Sequence, residues 1–253
     1  MRKLIIPLSL IMSVCALLSS CDRIQTTKLD SFVQMYYSFD SFYLVAIDEK
    51  CVDVANSIDW NSILTYYCCN TNKYNDLCQK HGDTSYNFKW ESIEGSPNVI
   101  NYPSFDFENL SIVSDKDYDV MHPAGTSLND VVRYMSFSPK KFIESGYKKK
   151  YKYDGTGVSA TFVKYMDKGL NWECPDDRND YSGAFYPVDK QADEITAEDM
   201  ELNSNFFFIN SSYSSLVRLA FESEPTIKGP RKITVTLKGD NGETYSASTE
   251  MSF

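Results

Sequence analysis

Histidine is nearly missing from this chain: His81 and His122 are the two in 253 residues, and both sit in turn-like contexts, His81-Gly82 and His122-Pro123. With so small a supply, and with no His-Glu-x-x-His run and no Gly-x-Ser-x-Gly elbow in the sequence, the common zinc-hydrolase and serine-hydrolase designs are removed. No fixed-period repeat and no low-complexity tract occurs, which excludes repeat architectures. Positive charge is also short: 25 Lys and Arg stand against 35 Asp and Glu, a formal net charge of −10. A surface of that sign repels nucleic acid and anionic headgroups, so no nucleic-acid partner is expected. The basic run Lys148-Lys149-Lys150 reads as the edge of a strand rather than as a phosphate site. Long apolar runs are missing but for one, Leu4 to Leu18.

That run follows Arg2 and Lys3, has the length of a signal-peptide core, and ends too abruptly for a membrane span. It closes on Leu18-Ser19-Ser20-Cys21, which resembles the bacterial lipobox at all four places: an aliphatic residue, two small residues that fit a peptidase cleft, then the cysteine whose thiol is acylated. The resemblance implies a lipoprotein cut before Cys21 and held to a membrane of the cell envelope through palmitate-like chains. The outer membrane, on its periplasmic or outward side, is the expected place. Several acyl chains, at about 0.8 kcal/mol per buried CH₂, make such attachment permanent. Removing residues 1–20 takes Arg2 and Lys3 away and leaves 23 basic against 35 acidic residues, a net charge of about −12. The remaining length can bury a sizeable core without a disulfide scaffold.

Beyond Cys15 and Cys21 the cysteines are Cys51, Cys68, Cys69, Cys78 and Cys174. An exported location permits disulfides, and an odd number leaves a thiol unpaired or paired between chains. Cys68 and Cys69 are adjacent, so on a strand they face opposite ways. The turn formers Asn70, Asn72, Asn75 and Asp76 suit a loop closed by Cys69–Cys78, leaving Cys68 for Cys51, for Cys174 or for burial as a free thiol. Zinc is disfavoured because His81 completes no ligand spacing with these cysteines.

Residues 1–20 therefore read as signal peptide, 21–30 as lipidated cysteine and polar tether, and 31–253 as one domain. Within that domain the apolar period is mostly two. Phe32–Tyr37 and Phe42–Ile47 suggest an antiparallel pair, followed by candidate strands Ile63–Cys68, Tyr86–Trp90, Phe107–Val113, Tyr147–Tyr153 and Val158–Tyr165. Asn205–Ile209, Leu216–Phe221, Ile233–Leu237 and Thr244–Thr249 complete the series. The last two form the clearest element, a hairpin with Ile233, Val235 and Leu237 on one face and Gly239-Asp240-Asn241-Gly242 as its turn. Helix is sparse: Leu128, Val131, Val132 and Met135 fit one helical face, and Lys140–Ser145 fits a short helix opened by Pro139 and ended by Gly146. Residues 166–203 read as an irregular excursion. The expected fold is all-β: a single immunoglobulin-like antiparallel β-sandwich with one or two short helices.

Two segments carry a family likeness. Leu110 to Tyr118 followed by Pro123-Ala124-Gly125-Thr126-Ser127-Leu128-Asn129, and Glu224-Pro225-Thr226 with Gly229 and the closing hairpin, resemble blocks in a family of uncharacterised lipoproteins from gut-dwelling Bacteroidota. The resemblance implies an envelope location and a β-rich fold, and brings no catalytic residue.

Several constellations imitate sites. Asp115, Asp117 and Asp119 alternate as in half a calcium loop, but Val120 stands where an EF-hand needs glycine and Thr126 where it needs glutamate. Gly155-Thr156-Gly157 fits a loose dinucleotide fingerprint but reads as a hairpin turn between two strand-like segments. The acidic group Asp176, Asp177, Asp180, Asp193, Glu194, Glu198 and Asp199 reads as a solvated loop. Of Trp60, Trp90 and Trp172, the first two read as core and Trp172 as a candidate stacking surface for a ligand. No catalytic residue, metal or cofactor is expected. The reading is a membrane-anchored binding or interaction module for a glycan or a protein. The alternatives are a carbohydrate-active enzyme with paired carboxylates, which leave no local spacing, and a structural envelope protein.

Overall fold

The computed structural model describes residues 25–56, 71–92, 100–152, 156–166, 183–203 and 214–253. In chain order the elements are β1 (Gln25–Leu29), β2 (Met35–Tyr37), β3 (Tyr43–Asp48), β4 (Cys51–Asn56), α1 (Thr71–Lys80), β5 (Phe88–Ser92), β6 (Asn101–Pro103), β7 (Phe107–Ser114), β8 (Val132–Ser138), α2 (Lys140–Glu144), α3 (Ala160–Met166), β9 (Tyr186–Gln191), β10 (Ser214–Phe221), β11 (Pro230–Gly239) and β12 (Thr244–Ser252). A five-stranded sheet, ordered β3-β4-β10-β8-β9, packs against a three-stranded sheet, β12-β11-β7. Both are antiparallel throughout, so the fold is an all-β sandwich. Two small pairs accompany them, antiparallel β1-β5 and parallel β2-β6. No helix among the described residues is long and apolar enough to cross a membrane.

The C-terminal hairpin forms as its sequence dictates. Val235 pairs with Ala247 on one side and Ile112 on the other, and Ile233, Val235 and Leu237 are buried while Thr234 and Thr236 meet Ser248 and Ser246 on the outer face at 2.8 and 3.1 Å. Facing residues of the two sheets, among them Val52, Val54, Val132, Tyr134, Leu219, Ile112 and Val235, merge into one core. The far face of the five-stranded sheet is covered as well. There Met135, Phe137 and Ala220 join Phe142 and Ile143 of α2, Phe162 and Met166 of α3, Leu77 and Cys78 of α1, and Phe32 and Tyr36 near β2.

That second layer explains where sequence and structure part. Three helices are described rather than one or two. Residues 71–80 form α1 and not a loop, because Tyr74, Leu77 and Cys78 share one face toward the second core despite the turn formers between them. Residues 160–165 of the expected strand Val158–Tyr165 belong to the helix Ala160–Met166, with Phe162 and Met166 buried one turn apart. Residues 147–152 are not a strand: the backbone of Tyr151 instead donates to Gly183 O at 2.7 Å. The expected helix around Leu128–Met135 is a 3-10 turn at Asn129–Val131 followed by β8, whose two faces enter different cores. The expected pairing of Phe32–Tyr37 with Phe42–Ile47 gives way to β2 beside β6 and β3 beside β4. Gln25–Leu29, within the stretch read as tether, is β1, and Tyr186–Gln191, within the expected excursion, is β9 at the sheet edge, the position where Pro187 is tolerated. Lys140–Glu144 is helical as expected, with Gly146 at φ +65 beyond its end.

Candidate functional site

The larger described concavity, about 190 Å³, runs along β9. Tyr186 to Lys190 line it, Lys140 and Lys141 of α2 border it on one side, and Glu198 and Asp199 of a 3-10 turn on another. Local rules place these groups. Gly183 lies at φ +80, and a Cβ there would meet Tyr151 O at 2.7 Å, so glycine permits the close approach that ties residues 148–152 to the start of β9. Tyr186 then donates its hydroxyl to Lys149 O at 2.8 Å, and its ring lies 5.4 Å from that of Tyr151. Lys141 Nζ stands 5.9 Å from the centroid of the Tyr186 ring. The run Lys148-Lys149-Lys150 is exposed and borders this ring rather than edging a strand.

Every described carboxylate lining the cleft is already engaged. Asp189 receives Arg133 Nε at 2.5 Å and both the amide and the hydroxyl of Ser159, at 2.5 and 3.1 Å, and so fixes Ser159, whose Oγ accepts Phe162 N at 3.0 Å and caps α3. This also disposes of the Gly155-Thr156-Gly157 fingerprint, since the amides of Ser159 and Phe162 after it are taken by Asp189 and by the Ser159 hydroxyl. Asp199 takes Lys190 Nζ on both oxygens at 2.7 Å, and Thr196 caps it through N at 3.0 Å and Oγ1 at 2.8 Å. Burial pushes the Asp199 carboxyl up, but the Lys190 and Thr196 hydrogen bonds outweigh it and hold the group below the usual carboxylate range. Lys140 reaches Glu201, Glu198 and Glu144 at 3.0, 3.5 and 3.9 Å. Burial lowers its affinity for the proton, and the Glu201 contact more than restores it. The cleft thus presents fixed charges and an aromatic ring, with no histidine or thiol among its described lining residues.

The remaining titratable groups lie elsewhere. His81 is stacked 6.0 Å from Tyr36 and 3.4 Å from Asp106, and burial lowers its pKa. His122 bridges Asp119 at 2.7 Å and Asp130 at 2.9 Å. Asp115 and Asp117 bond the amides of Lys232 and Ala124, both at 2.8 Å, so the alternating acids hold their own turn together. No group of three metal-ligating side chains occurs among the described residues. Cys51 and Cys78 are buried free thiols, each with its pKa raised by burial, the reverse of an activated nucleophile. Cys21, Cys68, Cys69, Cys174, Trp60, Trp172, the strands Ile63–Cys68 and Asn205–Ile209, and the acids Asp176, Asp177 and Asp180 lie outside the described residues; Trp90 is on β5. Sequence reasoning missed Tyr186 and Lys141, whose partners lie some forty residues away along the chain. The one local signal was the alternation of Tyr186, Val188 and Lys190 with Pro187, Asp189 and Gln191.

No family model, curated protein or solved structure matches the chain.

Proposed function

We propose that this chain is an envelope lipoprotein, tethered to the outer membrane through Cys21, whose β-sandwich is a non-catalytic binding module with its ligand site in the β9 cleft. The observation that carries the reading is the commitment of the cleft's described carboxylates: Asp189, Asp199, Glu198 and Glu144 each face a cation within 4 Å. A glycosidase pair needs one carboxyl free to give a proton and another free to attack or to activate water. Recognition needs the reverse, groups fixed before the ligand arrives. Tyr186 with Lys141 offers an apolar ring face beside a cation, a combination suited to a sugar. The lipid anchor rests on Leu18-Ser19-Ser20-Cys21.

Two measurements test this. Cys21→Ser should abolish incorporation of a clickable fatty acid in cells, and equal label on the variant refutes the anchor. Every described element lies between Gln25 and Ser252, so the chain from residue 22 carries the whole described fold. Screened on a glycan array, it should bind a glycan that the Tyr186→Ala variant does not; glycan release or cleavage instead of retention would put an enzyme in its place.

A further inference from the structure

Among the described residues, Val120, Met121 and Ile227 are the most exposed large apolar side chains, at 89, 80 and 72 %. They come from two loops at one end of the sandwich that are fastened together. The amide of Thr226 donates to Tyr118 O at 2.8 Å, and the buried guanidinium of Arg231 bonds Asp117 O at 2.8 Å and Ile227 O. Below them the ring of Tyr118 is fully buried and lies 5.7 Å from that of Phe253. The Val120-Met121 turn is itself braced: Asp119 Oδ1 accepts the amides of Met121 at 2.8 Å and His122 at 2.9 Å, and Tyr118 N reaches His122 O at 2.8 Å. Aliphatic groups held outward on a braced loop keep their exposure at a continuing cost in hydration. They also lose little further freedom when covered, the property of a preorganised contact.

We infer that this tip is a docking knob for a partner protein that offers an apolar socket with a basic rim. The charge around the knob selects that partner. Asp117 is exposed beside it, Asp119 is half-exposed directly before it, and Asp130 is exposed on the far side of His122; the exposed lysines there are Lys228, paired with Glu224 at 2.7 Å, and Lys116, bonded to Pro230 O at 2.6 Å, so that four acids stand against two lysines in a chain of net charge −10. Entry into a bilayer deep enough to cover Met121 would drag these carboxylates toward the headgroups, and a second copy of this chain brings like charge to like. Lysine or arginine around a protein socket meets both the acids and the aliphatic tips. The knob shares no residue with the β9 cleft, so it stands independently of the proposed ligand.

The full chain carrying Val120→p-benzoylphenylalanine, made and irradiated in the cells that produce it, tests this. The expected result is a covalent adduct with one protein, whose cross-linked peptide maps to an apolar socket flanked by Lys or Arg. Adding Ile227→Asp should cut its yield at least about tenfold while leaving the melting temperature unchanged; should that variant melt early, Ile227→Ser serves in its place. The same photoreactive residue at the exposed Asp193 should not give the adduct. Adducts with lipid, with a second copy of the chain or with an acidic or polar protein surface, or none above the Asp193 control, would overturn the inference.

Discussion

At the centre of the five-stranded sheet both faces are removed from water, yet they are held by different means. Toward the three-stranded sheet the contacts are hydrocarbon against hydrocarbon, with Val52, Val54 and Leu219 meeting Ile112, Ile233 and Val235. Toward the helices, strand alternation turns Asp53 and Arg218 inward, and they pair through Nε–Oδ1 at 2.6 Å and Nη2–Oδ2 at 2.8 Å. Arg218 also bonds Tyr165 O at 2.5 Å at the end of α3. In the same layer the buried carboxylate of Asp83 receives the amides of Phe32 and Val33, each at 2.7 Å, and the hydroxyl of Tyr147 at 2.9 Å. Both faces are stabilised by buried apolar area, and the second must in addition satisfy the polar groups that β4, β10 and the surrounding loops bring inside.

The comparison predicts distinct failures. Val235→Asp places an unpaired charge between the sheets, and a loss of about 4 kcal/mol or more is expected in chemical denaturation; a variant that melts with the parent would mean that β11 faces the other way. Arg218→Met strands Asp53 and should cost roughly 3–5 kcal/mol, whereas Arg218→Met with Asp53→Leu should regain most of the loss. No second substitution of that kind is expected to rescue Val235→Asp, and rescue at both places or neither would erase the distinction between the faces.

Asp83→Ala leaves two buried amides without acceptors, and a cost of roughly 2–4 kcal/mol is expected. The pH dependence is more telling. Burial raises the Asp83 carboxyl above its ordinary value of 3.8, so the folded state takes up a proton before the unfolded state does. Between those two values falling pH therefore favours folding at this residue, opposite to the usual acid effect. Asp83→Asn should lose stability more steeply than the parent as pH falls toward 3.8. A smaller effect belongs to the sandwich end, where burial opposes the charge on His122 but the Asp119 and Asp130 hydrogen bonds raise its pKa above 6.5. That contribution is fully present below pH 6.5 and is lost as pH rises through the folded value. Titration of the His122 ring by NMR should show the upward shift, and Asp119→Asn should reduce it.

What the sequence disclosed follows the same division. The β11–β12 hairpin was legible because one of its faces is wet, so Ile233, Val235 and Leu237 alternate with polar residues. β4 and β8 were not, because both their faces are covered and Cys51–Asn56 is buried at every position. α1 was read as loop because Asn72, Asn75 and Asp76 outnumber the buried face of Leu77 and Cys78, and part of α3 as strand because Phe162, Val163 and Tyr165 are strand formers when taken alone. The cleft was hidden for a further reason. Tyr186, Lys141 and Asp189 acquire their roles from Lys149, Arg133 and Ser159, and no spacing along the chain announces those meetings.

The measurement closest to the central claim is calorimetric titration of the chain from residue 22 with the best-retained array glycan, alongside Tyr186→Ala and Ile227→Asp, followed by chromatography of the recovered ligand. The β9 cleft as a non-catalytic site predicts binding at least about tenfold weaker for Tyr186→Ala, unchanged binding for Ile227→Asp, and glycan recovered intact. Equal affinity in parent and Tyr186→Ala, or a glycan shortened during the titration, would contradict it.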